Sequence, residues 1–152
     1  YNAQNTPTNQ PADWEMDERY TKARQLFEKG RVFEHGLNGR SDPEKAANYY
    51  RMAAMRGYPP AQNALGFCYV TGFGVNPNDQ LAASWFKSAA TQGYEPAKIN
   101  YGALCIDGKG GDIDPQEGLE YLCRAIVSAS ENGSHEWMNE ELLDWLAPMA
   151  NS

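Results

Sequence analysis

The chain has 152 residues, about one domain, and folding can bury roughly two-thirds of the surface that the unfolded form exposes. Its 13 Lys and Arg against 20 Asp and Glu leave a net charge of −7, which disfavours nucleic acid and other polyanions. Apolar residues at 41% and aromatics at 12% exclude a disordered acidic chain, and no stretch reaches the ~18 consecutive apolar residues of a membrane span.

Residues 1–12 contain no charged side chain, two prolines and several Asn, Gln and Thr, a composition that predicts a flexible leader. A stretch of this kind starting at Tyr1 is common after a secretory cleavage site, so a periplasmic or cell-envelope location is expected, with the cytoplasm as the alternative. From residue 13 to His35 the apolar spacing predicts a helix.

From about residue 24 the chain repeats itself. A shift of 36 residues superimposes Gly30 on Gly66, Gly36 on Gly72, Ala46-Ala47 on Ala82-Ala83, Ala53-Ala54 on Ala89-Ala90, Gly57-Tyr58 on Gly93-Tyr94 and Pro60-Ala61 on Pro96-Ala97. The same step carries Gly66 to Gly102, Gly72 to Gly108 and Ala89 to Ala125, so a third, more divergent copy follows. Each copy reads as two helices. The first, typified by Ala61, Leu65 and Tyr69, ends at a glycine-rich turn, Gly72-Phe73-Gly74. The second starts at Asp42, Asn78 or Asp114, all good N-caps, with Pro43 and Pro115 at the first helical position. Within it, Ala46, Tyr49 and Ala53, and likewise Ala82, Trp85 and Ala89, predict a face on which alanines admit a close neighbour and a large ring fills the gap beside it.

Leu65-Gly66, Tyr69, Gly72, Gly74-Val75, Asp79, Ala82, Trp85-Phe86, Ala89-Ala90 and Gly93 together resemble the Sel-1-like repeat (SLR), a relative of the tetratricopeptide repeat. The first copy departs from that pattern at Lys29, Asn38 and Gly39, and the third at Cys105 and Ile126. The resemblance implies an all-α, right-handed α-solenoid of three SLR helix hairpins. The expected division is a leader over 1–12, a repeat domain over 13–130 with repeats at about 24–59, 60–95 and 96–130, and an acidic capping helix and tail over 131–152. In that last part Ser134 is the expected cap of a helix through Ala147, with Met138, Leu142, Trp145 and Met149 on the stripe that covers the last repeat.

Little in the sequence points to catalysis. The two histidines, His35 and His135, belong to opposite ends of the repeat array, and no nucleophile-elbow, zinc-protease, Walker or dinucleotide pattern occurs. The loop 107–114 contains Asp107, Asp112 and Asp114, but an EF-hand would need side-chain ligands where Lys109, Gly111 and Gly118 stand. No catalytic residue, metal or cofactor is therefore expected. By repeat phase Cys105 points inward and Cys123 outward, and Cys68 has no C-x-x-C partner, so the expectation is free thiols.

A protein partner is expected instead, with neither nucleic acid nor a membrane span involved. The first helices should present Phe27, Arg31 and Glu34, then Asn63, Phe67 and Val70, then Ile99, Ala103 and Ile106. The candidate partner-binding residues are Asn63, Phe67, Val70, Ile99, Ala103 and Ile106, joined by Tyr58 and Tyr94 at the loops between repeats. They are apolar for a solvated face, and across residues 57–97 only Asp79, Lys87 and Glu95 are charged. The resemblance implies a non-enzymatic scaffold or adaptor of a bacterial envelope or signalling assembly. The alternative is an immunity protein that neutralises a type VI secretion toxin, such as a periplasmic phospholipase effector, which makes a toxin or secretion component the partner. The net charge is concentrated in Glu131, Glu136, Glu140, Glu141 and Asp144, unbalanced by any Lys or Arg after residue 130, so a basic partner surface could meet the tail.

Overall fold

The computed structural model describes residues 17–36, 39–108 and 115–132. A 3-10 turn, Glu18–Tyr20, leads into α1 (Thr21–His35), followed by α2 (Pro43–Met55), α3 (Pro59–Thr71), α4 (Asp79–Thr91), α5 (Glu95–Ile106) and α6 (Pro115–Asn132). Each helix packs on its neighbours in the chain, which makes a helical repeat solenoid with no strand among the described residues. The segment 109–114 and the expected capping helix lie outside the described residues.

The expected punctuation is visible atom by atom. Asp42 accepts the backbone N–H of Lys45 at 3.1 Å, and Asn78 accepts that of Leu81 at 3.0 Å. Each cap satisfies a donor that has no partner inside its helix. Gly72 closes α3 in the left-handed conformation, its N–H donating to the Cys68 carbonyl. The leading α-helix begins at Thr21, and residues 1–16, with the expected leader and the first residues of the expected helix, lie outside the described residues. Asp17 is extended and accepts the Arg19 backbone N–H at 2.8 Å, so the chain makes the short 3-10 turn first and turns α-helical at Thr21.

Within each hairpin a glycine on the first helix meets a large side chain on the second: Gly30 with Tyr50, Gly66 with Phe86, Gly102 with Leu122. A methyl group at Gly30 would stand 2.6 Å from Tyr50 Cε1, and one at Gly66 2.5 Å from Phe86 Cε1, both well inside van der Waals contact. Tyr50, Phe86 and Leu122 are almost fully buried, and Ala46, Ala53, Ala82 and Ala89 completely so. The sequence expectation put Tyr49 and Trp85 in this seam, and here it needs correction. Tyr50 lies four residues after Ala46 and three before Ala53, centred on the buried stripe, whereas Tyr49 is turned about 100° away. Tyr49 and Trp85 pack at the margin instead, Tyr49 stacked on Phe33 with centroids 5.5 Å apart.

Polar side chains tie the repeats together. Gln62 is buried, donates to the Ala54 carbonyl at 3.2 Å and accepts from Gln92 at 2.9 Å, linking α2, α3 and the end of α4. Cys68 and Cys105 are buried and Cys123 half-buried, all as thiols, with Cys105 set against Gly118.

Candidate functional site: clefts along the first helices

The exposed face of α1, α3 and α5 holds two clefts on either side of Phe67. The first, about 400 Å³, lies between α1 and α3, with Phe27, Arg31, Glu34, Asn63 and Phe67 among its walls and Phe73 and Tyr94 at its ends. The second, about 310 Å³, lies between α3 and α5 and is bounded by Phe67, Val70, Asp79, Asn100, Ala103 and Asp107. Phe67 forms the ridge between them. It is 47% exposed, and its ring meets that of the buried Phe86 edge-on at 5.6 Å. The ridge therefore stands on the glycine seam: Gly66 admits the Phe86 ring, and Phe86 supports Phe67.

The structure thus brings Phe67, Val70, Asn63, Ala103 and Tyr94 to the clefts and separates them from the remaining candidates. Asn63 contributes one edge only. It is nearly buried, and its side-chain oxygen accepts from Asn100 Nδ2 at 3.0 Å, which draws α3 and α5 together. Ile99, next to Asn100 at that close approach, is 8% exposed and not an outward residue. Ile106 is half-buried at the end of α5. Tyr58, expected on a loop surface, is a core residue, closed over by Phe27 at 5.7 Å and Tyr20 at 6.0 Å. The loops between repeats are tight turns, and the one at Gly57 leaves the Tyr58 ring under Phe27 and Tyr20 with no route to solvent. Phe73 and Asn100 were not singled out by repeat phase. A phenylalanine between the two turn glycines, Gly72 and Gly74, is the signal that could have revealed the first.

A wider hollow of about 900 Å³ runs along the seam where turn 72–78 rests on the start of α2. Its walls are the turn, the starts of α2 and α4, and the side chains of Arg51 and Tyr69, with Arg51 donating to the Tyr69 hydroxyl at 3.5 Å. On α4, Ser84 and Lys87 have the S-x-x-K spacing of serine acyl-transfer enzymes, but the Ser84 hydroxyl donates to the Gln80 carbonyl. Lys87 pairs with Glu117 at 3.0 Å instead of with the serine. Among the described residues no group of three or more His, Cys, Asp and Glu side chains converges as a metal site, and no helix is long and apolar enough to cross a membrane.

Burial favours the neutral, protonated form of the inward tyrosines and of Cys68. Burial, then the hydrogen bond to Glu34 at 2.9 Å, pushes the Tyr50 hydroxyl far up. Burial likewise raises Tyr101 and Tyr94 and pushes the Cys68 thiol up to about 11. These groups hold their protons more tightly in the fold than in the unfolded chain. Their contribution to stability is therefore complete below the ordinary thiol value of 9.0 and is lost as pH climbs through about 11 and beyond. The thermal midpoint should accordingly fall as pH rises from ~9 to ~11; a midpoint that climbed over that interval would contradict the assignment.

The Sel1 repeat pattern matches residues 26–58, 59–94 and 96–126. Among solved structures the chain is similar to c5321, a protective antigen present in uropathogenic Escherichia coli strains and displaying an SLR fold. The TM-score is 0.66 and the identity 31%, over 70% of this chain and 23% of that one. It is also similar to a Sel1 repeat protein from Oxalobacter formigenes, with a TM-score of 0.65 and 28% identity over 74% of this chain and 45% of that one. The matched region is thus less than half the length of either protein. No curated protein matches in sequence.

Proposed function

The chain belongs to the Sel1 repeat family, whose members are in general protein-interaction modules and typically non-catalytic, and we propose that it binds its partner protein along α1, α3 and α5. Phe67 carries this reading. A phenylalanine 47% exposed between two clefts, with Val70 38% exposed one turn on, sets apolar surface in water where a partner can cover it. Rings that stand on a rigid support and can be wholly covered are the side chains that dominate association energies. The role that fits such a frame is a scaffold or adaptor of a bacterial envelope or signalling assembly, in which the hairpins hold the surface and the surface selects the partner.

The test compares tagged wild type and Phe67→Asp as baits in native cells, followed by titration of the recovered partner. Affinity should fall by at least about tenfold while the far-ultraviolet circular dichroism stays unchanged. Equal affinity of the two baits would sink the proposal.

A further inference from the structure

Resting on that reading of the clefts, we infer the chemistry of the partner: an extended polypeptide segment that sets one Arg or Lys side chain in each cleft and an apolar side chain against Phe67. Glu34 shares the walls of the first cleft with Phe27, Phe67 and Phe73. The Tyr50 hydroxyl donates to Glu34 Oε1 at 2.9 Å and holds that carboxylate in place. A cation entering there meets both a charged acceptor and aromatic faces, two attractions that reinforce each other out of water. The second cleft offers Asp79 and Asp107 beside Phe67.

The position of these acids adds to the argument. Glu34 lies in the last turn of α1 and Asp107 is the C-cap of α5, where the negative end of the helix dipole disfavours a carboxylate. α5 has no basic residue in its last turn to offset it, and α1 has only His35. Arg31 is itself a wall of the first cleft and stands 3.7 Å from Glu28, and His35 stands 3.3 Å from Glu34. Folding uses Glu34 as the acceptor of the buried Tyr50 hydroxyl but gains little from Asp107 at a helix C-terminus, whereas a cationic ligand gains from the dipoles and the carboxylates together. Spacing then fixes the segment. Packed helices stand ~8–10 Å apart, so clefts on either side of α3 are separated by about that distance. A polyproline-II strand returns to the same side every three residues, or ~9 Å, so the two basic residues stand three apart.

The probes are capped, fluorescently labelled nonapeptides with an apolar middle and, three places apart, either two arginines or two glutamines. Each is titrated by anisotropy against the wild-type chain and against the triple variant Glu34→Gln, Asp79→Asn, Asp107→Asn. The arginine peptide should bind at least about tenfold more tightly than the glutamine peptide, and the advantage should shrink with salt and vanish in the triple variant. Equal binding of the two peptides, binding of neither, or an advantage that survives in the triple variant would overturn the inference; the last would move the attraction elsewhere, the acidic tail being the first place to look. If Phe67→Asp still abolished capture of the partner in that event, the clefts would stand as the interface and only the basic segment would be discarded.

Discussion

Phe86→Ala should lower the unfolding free energy by about 3–5 kcal/mol, a large part of the ~5–15 kcal/mol that a single domain has available. The ring is 1% exposed and fills the space left by the missing side chain of Gly66, so its removal opens a cavity that neither α3 nor α4 can close without breaking the seam. Phe67 also loses its edge-on neighbour at 5.6 Å, which couples this core position to the proposed interface. Trp85→Ala removes a larger side chain next door, yet it should cost less because Trp85 packs only at the margin of the core. Urea denaturation followed by circular dichroism, which does not depend on the lost indole, gives both values. The reverse order would refute the assignment of Phe86 as the seam residue.

Gly74→Ala is the second large effect expected. Gly74 has φ of 73°, which costs a non-glycine residue roughly 1–2 kcal/mol. Its added methyl would also run into the Pro43 carbonyl, a backbone atom at the start of α2 that cannot rotate aside. Overpacking of that kind costs roughly 1–3 kcal/mol, so the sum is about 2–5 kcal/mol. Gly93→Ala separates the two terms: its φ is 90°, but nothing stands within 4 Å of the added methyl. That substitution should therefore show only the conformational cost. Equal losses at the two sites would mean that the turn does not press on α2 as described.

Much of the fold was legible because repetition amplifies weak signals. One Asp before a proline is a poor indication of a helix start, but Asp42, Asn78 and Asp114 in one phase are a good one, and the caps at Lys45 and Leu81 show why. Phase also located the exposed side of α3, since Phe67 and Val70 lie opposite the buried Leu65 and Cys68. Phase could not tell Tyr49 from Tyr50, or Trp85 from Phe86, because both members of each pair are large rings. The choice rests on which one faces the glycine of another helix. It also failed at Ile99 and Tyr58, where the approach of α3 to α5 and the packing of Tyr20 and Phe27 take away exposure that helical spacing alone would allow.

The sequence by itself determined the class of the protein: its period, its helix ends, its all-α character, and a surface too apolar to be left in water. These follow from local rules of capping, glycine geometry and spacing, which act within one or two turns of chain. Tertiary structure alone decided which side chains share a cleft. Glu34, Phe67 and Phe73, or Asp79 and Asp107, come together only when α1, α3 and α5 are set side by side by the glycine seams and the Asn63–Asn100 bond. Contacts between residues nearly forty positions apart depend on the distance between helices, and that distance is set by the sizes of the side chains packed between them.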